Sequence, residues 1–264
     1  MRPFQVGATA AAAAAAGGYA ALYRLGQTWG ATDHEQRQAL AGDELLPGAR
    51  ARTTHAISIE APATAVWPWL VQMGWGRAGW YTYRWVDRLL FPANGPSADR
   101  ILPEHHRLAI DDRVPDGPPE ADCWFTVERL EADRLLVLRS TRHLPASWRQ
   151  RGLAMDWIWS WQLDEPAPGR IRVIQRNRMR LDPWWFERAF LATIVPADFV
   201  MARSHLRGLR DRVENAARST VGGGHRLRSG GLLRPQGEPA AKVTTLDCLA
   251  HGDHLANCRA ASEG

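Results

Sequence analysis

Lysine is almost absent from this chain of 264 residues: Lys242 is the only one, so the formal charge of +5 and the pI near 9.6 are carried by arginine. An arginine bias of this kind follows codon composition as readily as it marks a nucleic-acid footprint, and only clustering on one face would favour the latter. The reading adopted is no nucleic acid. Cysteine is scarce as well. Cys123, Cys248 and Cys258 are too few and too scattered for a disulfide framework. No internal repeat is present, and no Ser/His/Asp or Cys/His spacing marks a nucleophile with its base. Long apolar runs are confined to one place. Phe4 to Tyr23 is twenty residues without a charge, bracketed by Arg2 and Arg24. As a helix it matches a hydrocarbon core of about 30 Å, although its Ala, Gly, Gln5 and Thr9 gain little from leaving water. The expectation is a membrane-associated protein with a single N-terminal pass; a cleaved signal peptide and a poorly ordered alanine-rich leader are the alternatives.

What is present is an ordinary globular composition, 45% apolar and 23% charged, with 13 tryptophans. Residues 1–27 form the apolar segment, 28–53 a polar connecting arm, 54–216 the folded domain, and 217–264 a tail too polar and Gly-rich to bury a core. Thr54 to Pro62 alternates His55, Ile57 and Ile59 against Ala56, Ser58 and Glu60, a strand, and Ala63 to Met73 then reads as a helix containing Pro68. Cys123 to Glu131 and Arg134 to Ser140 are separated by a hairpin-length gap. Met155 to Leu163 and Ile171 to Met179 form two long strands around a Pro-Gly turn. Met155, Trp157, Trp159, Trp161 and Leu163 share a face of the first. Gln175 and Asn177 lie among Ile171, Val173 and Met179 on one face of the second, while Arg172, Arg176, Arg178 and Arg180 take the other. Phe199, Ala202, Leu206, Leu209 and Val213 recur at helical spacing. Pro196 is expected to start or break that helix, which leaves Trp184 to Val195 as a separate piece.

The stretch VWPWLVQMGWGRAGWYTY, Val66 to Tyr83, contains G-x-G-x-x-G at Gly74, Gly76 and Gly79. A dinucleotide loop requires a strand before it, a helix after it, and an acidic residue in a βαβ context about twenty positions on. Here a helix precedes it, aromatics follow it, and Asp99 stands outside any such unit. The glycines therefore read as a tight turn between helical pieces, and no cofactor is expected.

AISIEAPATAVWPWLVQMGWGRAGWYTYRWVDRLL (Ala56 to Leu90), SADRILPE (Ser97 to Glu104) and VPADFVMARSHLRGLRDRVE (Val195 to Glu214) together resemble the SRPBCC or START-like superfamily, in its polyketide cyclase/dehydrase or lipid-transport branch. TWGATDHEQRQALAGDELLPG before the domain resembles the same branch, in which a membrane segment often precedes the domain. The resemblance implies an α+β helix-grip fold: a curved antiparallel sheet wraps a long C-terminal helix and leaves an apolar cavity. A hydrophobic small molecule or lipid would then be bound in a Trp-lined cavity by Trp157, Trp159, Trp161, Gln175, Asn177, Trp80, Tyr81, Phe199 and Leu206. Indoles and sparse amides are what such a pocket uses to fix orientation.

Two other readings compete. A cyclase/dehydrase-type enzyme would need a titratable group in that cavity, for which Asp87, Asp99 and His105 are rim candidates beside Arg100 and His106, while Asp156 points away from the tryptophan face. A basic peripheral module would present the Arg-rich faces to anionic lipid or nucleic acid. Cys248, His251, His254 and Cys258 suit zinc by donor type but not by any recognised spacing, and no metal is assigned.

Overall fold

The computed structural model describes residues 3–226. In chain order the elements are α1 (Pro3–Thr28), α2 (Asp33–Arg37), β1 (Ala51–Ile59), α3 (Ala63–Val71), α4 (Arg84–Leu90), β2 (Arg113–Pro115), β3 (Trp124–Glu131), β4 (Leu135–Ser140), α5 (Ala146–Arg149), β5 (Ala154–Ala167), β6 (Arg170–Asp182) and α6 (Trp184–Arg226). The strands form one antiparallel sheet in the order β1-β6-β5-β4-β3-β2. This is the α+β class expected, an open six-stranded sheet with a long C-terminal helix, consistent with a helix-grip fold.

Register decides which side chains meet the helix. Trp157, Trp159 and Trp161 of β5 pair with Met179, Asn177 and Gln175 of β6, and these with Ala51, Thr53 and His55 of β1. Because side chains alternate across a strand, one inner face collects the tryptophans, Gln175, Asn177, Thr53, His55 and the β4 residues Leu136 and Leu138. The core between this face and the helices includes Ile59, Trp69, Leu70, Trp80, Tyr81, Phe125, Trp161, Leu206 and Leu209.

The other face is covered by residues 29–50. Thr32 caps α2 with a reciprocal Thr32–Glu35 capping box, and Glu35 then forks onto Arg172 at 2.7 and 2.9 Å. Leu40 and Leu46 seal small apolar clusters against Ile174 and Ile158. Arg176, with no exposed surface, donates to the carbonyls of Glu35 (2.6 Å) and Gln38 (2.8 Å), to Thr54 Oγ1 (3.1 Å) and to Asp43 Oδ2 (2.7 Å). The arginine face of β6 is therefore occupied by the chain's own arm, and Arg172, Arg176 and Arg178 are not offered to an anionic partner.

One expectation is corrected here. Pro196 does not break the last helix, which runs unbroken from Trp184 to Arg226. A proline removes the bond its N–H would have made to the carbonyl four residues back. That carbonyl, of Ala192, accepts instead from the Tyr19 hydroxyl of α1 at 2.7 Å. The apolar N-terminal segment does form a helix, α1, but among the described residues no helix is long and apolar enough to cross a membrane. Its alanine and glycine content keeps its hydropathy low. α1 lies on α6 and reaches β1, where the Gly26 carbonyl accepts from His55 Nε2 at 2.7 Å. A methyl group on Gly26 would meet the Val195 carbonyl oxygen. The tail beyond Arg226, with Cys248, His251, His254 and Cys258, lies outside the described residues.

Candidate functional site

The glycine loop closes on itself. Gly74 and Gly79 bond to each other in both directions (3.2 and 3.0 Å), and the left-handed φ values at Gly76 (67°) and Gly79 (74°) are ones that side chains resist. The turn delivers Trp80 and Tyr81 against α6, where Gly208 permits contact with the Tyr81 carbonyl that no larger residue would allow. Tyr81 is wholly buried, donating to the Trp69 carbonyl (2.7 Å) and accepting from Gln72 (2.9 Å). It is a structural pin, while Trp75 and Gly76 of the loop border an open groove of about 470 Å³ with Arg113, Pro118 and Trp124.

Between the inner sheet face and α6 lie two adjoining cavity lobes. One, of about 80 Å³, is lined by Trp80, Phe91, Asp116, Trp157, Trp159, Gln175, Asn177, Asp198, Met201, Ala202 and His205. The other, of about 220 Å³, adds Thr53, His143, Met155, Met179 and residues of α6, and shares Trp157, Asn177, Asp198 and Met201 with the first. Of the residues singled out by sequence, Trp157, Trp159, Trp80, Gln175 and Asn177 line these lobes. Trp161, Tyr81 and Leu206 are packed core, and Phe199 is half-buried and borders neither lobe.

The lining is aromatic but not closed in its polar pairing. Asn177 is satisfied, accepting from Trp157 Nε1 (2.9 Å) and donating to Thr53 Oγ1 (3.0 Å). Trp80 Nε1, Trp159 Nε1, Trp161 Nε1, Gln175 Oε1 and His205 Nε2 are buried with no hydrogen-bond partner among the described residues. His205 packs against Trp161 (4.9 Å between ring centres) and Trp159 (5.9 Å). Burial, reinforced by the Arg212 charge, pushes its imidazole down to about 3.

Asp198 was not legible as a site residue. It stands on α6 one turn before Ala202, lines both lobes, and has no hydrogen bond or ion pair among the described residues; burial raises its carboxyl to about 7. The rim candidates behave otherwise. Asp87 accepts from the Thr82 hydroxyl and from Ser97, and borders a separate groove of about 310 Å³ beside α4. Asp99 is exposed, and neither it nor His105 lines the lobes.

Three groups distant in sequence also converge. His143 Nε2 donates to Asp116 Oδ2 at 2.9 Å, which leaves Nδ1 to accept from the Ser140 hydroxyl at 2.7 Å. This has the connectivity of a nucleophile, base and orienting carboxylate, but Ser140 is buried and borders a different, polar cleft with Arg139 and Thr126, out of line with the lobes. With Cys123, whose thiol burial raises to about 12, Asp116 and His143 place donor atoms within 4.8 Å of one another, the residues best able to hold a metal among those described. Asp156 lies on the outer face, bonded twice by Arg139 (3.0 and 2.8 Å), as its strand position predicts.

No family model matches the sequence, and no curated protein matches it. Similar solved structures include a hypothetical protein from Helicobacter pylori, 13% identical, covering 66% of this chain and 95% of that one with a TM-score of 0.41. A norcoclaurine synthase variant from Thalictrum flavum is 11% identical over 61% of this chain and 94% of that one, TM-score 0.35. DynU16, from the dynemicin biosynthetic locus, is 13% identical over 62% of this chain and 48% of that one, TM-score 0.34. At these scores the likeness carries no inference about ligand or reaction.

Proposed function

We propose that the protein binds a hydrophobic small molecule or lipid-like compound in the cavity between the inner sheet face and α6. The observation that carries this reading is the pairing deficit of the cavity wall. The indole N–H groups of Trp80 and Trp159, the amide oxygen of Gln175 and an imidazole nitrogen of His205 belong to residues that line the aromatic space and have no partner among the described residues. Each buried group left unpaired costs on the order of 1–3 kcal/mol, a cost that a wall evolved only for packing has no reason to carry. Trp157 and Trp159 report on occupancy directly: titration with octyl-chain and aromatic probes should quench or shift tryptophan emission saturably, and Trp157→Phe should reduce that response. Saturable binding that Met201→Trp, which fills the shared wall, leaves intact would overturn the reading.

A second reading is a cyclase/dehydrase-type reaction in the same cavity, favoured by Asp198 alone. A carboxyl titrating near 7 is suited to proton transfer at neutral pH. Under this reading Asp198→Asn abolishes turnover of a polyketide substrate while binding persists.

A further inference from the structure

We propose, resting on the cavity reading above, that the preferred ligand is a hydrophobic organic cation, a protonated amine on an apolar body, with its charge seated on Asp198.

Asp198 is the carboxylate in the lobes that has no hydrogen bond or ion pair among the described residues. The other, Asp116, is bonded to His143. No arginine or lysine lines either lobe, so no cation for Asp198 comes from the described residues. Asp198 is half-buried in an aromatic surround; an unpaired carboxylate there is partly desolvated, and a bound cation offsets that cost. The walls around it favour the same charge: Trp80, Phe91, Trp157 and Trp159 share the smaller lobe with Asp198, and the negative faces of aromatic rings attract cations. Gln175 Oε1, unpartnered in the same lobe, is a second acceptor, and an ammonium group is a donor only. A carboxylate ligand would meet Asp198 with like charge, and a neutral one would leave it unpaired.

The groups facing Asp198 are few. Asp116 follows β2, His143 follows β4, and His205 lies on α6 and is held neutral by burial. β1, β5 and β6 present Thr53, Trp157, Trp159, Gln175 and Asn177 to the lobes, none of which titrates. Amine binding therefore strengthens as pH rises through the range in which Asp198 ionises.

The test is calorimetric titration of the full chain with n-octylamine, 1-octanol and octanoate, one chain length carrying three head charges. At pH 7.5 octylamine should bind at least about tenfold more tightly than octanol, about 1.4 kcal/mol, and octanoate more weakly than both. Asp198→Asn should erase the amine preference while octanol binding persists. In the unaltered protein, which needs no variant to fold, octylamine affinity should rise between pH 5.5 and 8 while octanol affinity stays level. Octanol or octanoate binding as tightly as octylamine would overturn the cation proposal and leave the cavity reading standing. Failure of all three to bind would overturn both.

Discussion

The two faces of the sheet are built from the same strands, yet they resolve their buried polar groups to different extents. On the outer face Arg176, Arg172 and Asp156 each find bonded partners, and the arm residues 29–50 supply most of them; Asp43 Oδ1 and Arg178 Nε make no hydrogen bond, but their two residues form an ion pair at 3.6 Å. On the inner face Gln175, His205, Trp80 and Trp159 retain buried unpaired atoms, and the half-buried Asp198 has no hydrogen bond or ion pair among the described residues. A face whose polar groups are paired by its own chain is finished structure, because adding a ligand would break bonds already made. A face that holds polar groups in register without pairing them gains from a molecule that completes the pattern. Charge follows the same division: arginines line the outer face, where carbonyls and carboxylates meet them, and none lines the cavity.

The largest way to break this comparison is Arg176→Met. It removes the cation but leaves Asp43 and the carbonyls of Glu35, Gln36 and Gln38 beneath the arm. Losing one member of a buried pair costs about 3–5 kcal/mol, so urea unfolding should show a loss of that size. Ligand affinity per folded molecule should be unchanged. An inner-face counterpart is Trp161→Ala, in packed core, where truncation costs about 3–4 kcal/mol. Trp157→Ala, at the shared wall of the lobes and only partly buried, should cost less stability and more binding. Equal losses from the two tryptophans, read from denaturant midpoints, would erase the distinction between core and cavity wall.

The inner face was legible because strands write their faces into alternate positions. Trp157, Trp159, Gln175 and Asn177 follow from period two, and the arginines of β6 separate from them by the same rule. What covers the arginines was not legible, since residues 28–53 have no sustained period and their conformation rests on the Thr32–Glu35 cap, on apolar packing of Leu40 and Leu46, and on bonds to β6. Pro196 misled for a similar reason: the proline rule is local, whereas the hydroxyl that takes over the Ala192 carbonyl arrives from Tyr19. Asp198 and His205 carried a faint signal. They lie four before and three after Ala202, on the apolar stripe itself, where polar residues are out of place. Asp116, His143 and Ser140 come from separate loops and strand ends, and nothing in their spacing announces that they meet.

Acid pH separates the inner face by titration. Burial pushes His205 down to about 3 and His55 down to about 4, against an ordinary value of 6.5. The unfolded chain therefore binds protons first, and the stability these neutral imidazoles contribute is full above about 6.5 and is lost as pH falls toward 4. Each contributes up to about 1.4 kcal/mol per pH unit inside its window. Asp198 acts in the other direction: its carboxyl is raised from 3.8 to about 7, so the folded chain holds the extra proton and stability falls as pH rises from about 4 to 7. Asp198→Asn should then raise the urea midpoint of the ligand-free protein at pH 8, leave it nearly unchanged at pH 4, and steepen the loss on the acid side. An equal shift at both pH values would mean that the carboxylate is not held uncompensated.

The smallest expected effect is the most pointed. Gln175 sits opposite Trp161 on β5 and His55 on β1, nearly fully buried, with Oε1 unpaired among the described residues, and it lines a lobe together with Asp198. On the outer face the equivalent change would strand a partner, as at Arg176. Here Gln175→Leu strands nothing bonded to Oε1, removes an amide that lacked its acceptor bond, and keeps a similar volume, so stability should change by less than about 1 kcal/mol and in the favourable direction. Binding should move the other way. Octylamine affinity should fall by about threefold and octanol affinity should hold or improve, because only the ammonium uses the amide oxygen as a second acceptor beside Asp198. A loss of stability of 2 kcal/mol or more on the order of an ordinary broken buried hydrogen bond would mean that Gln175 is paired in the ligand-free protein, by water or by a shifted neighbour. The inner face would then be as self-sufficient as the outer one.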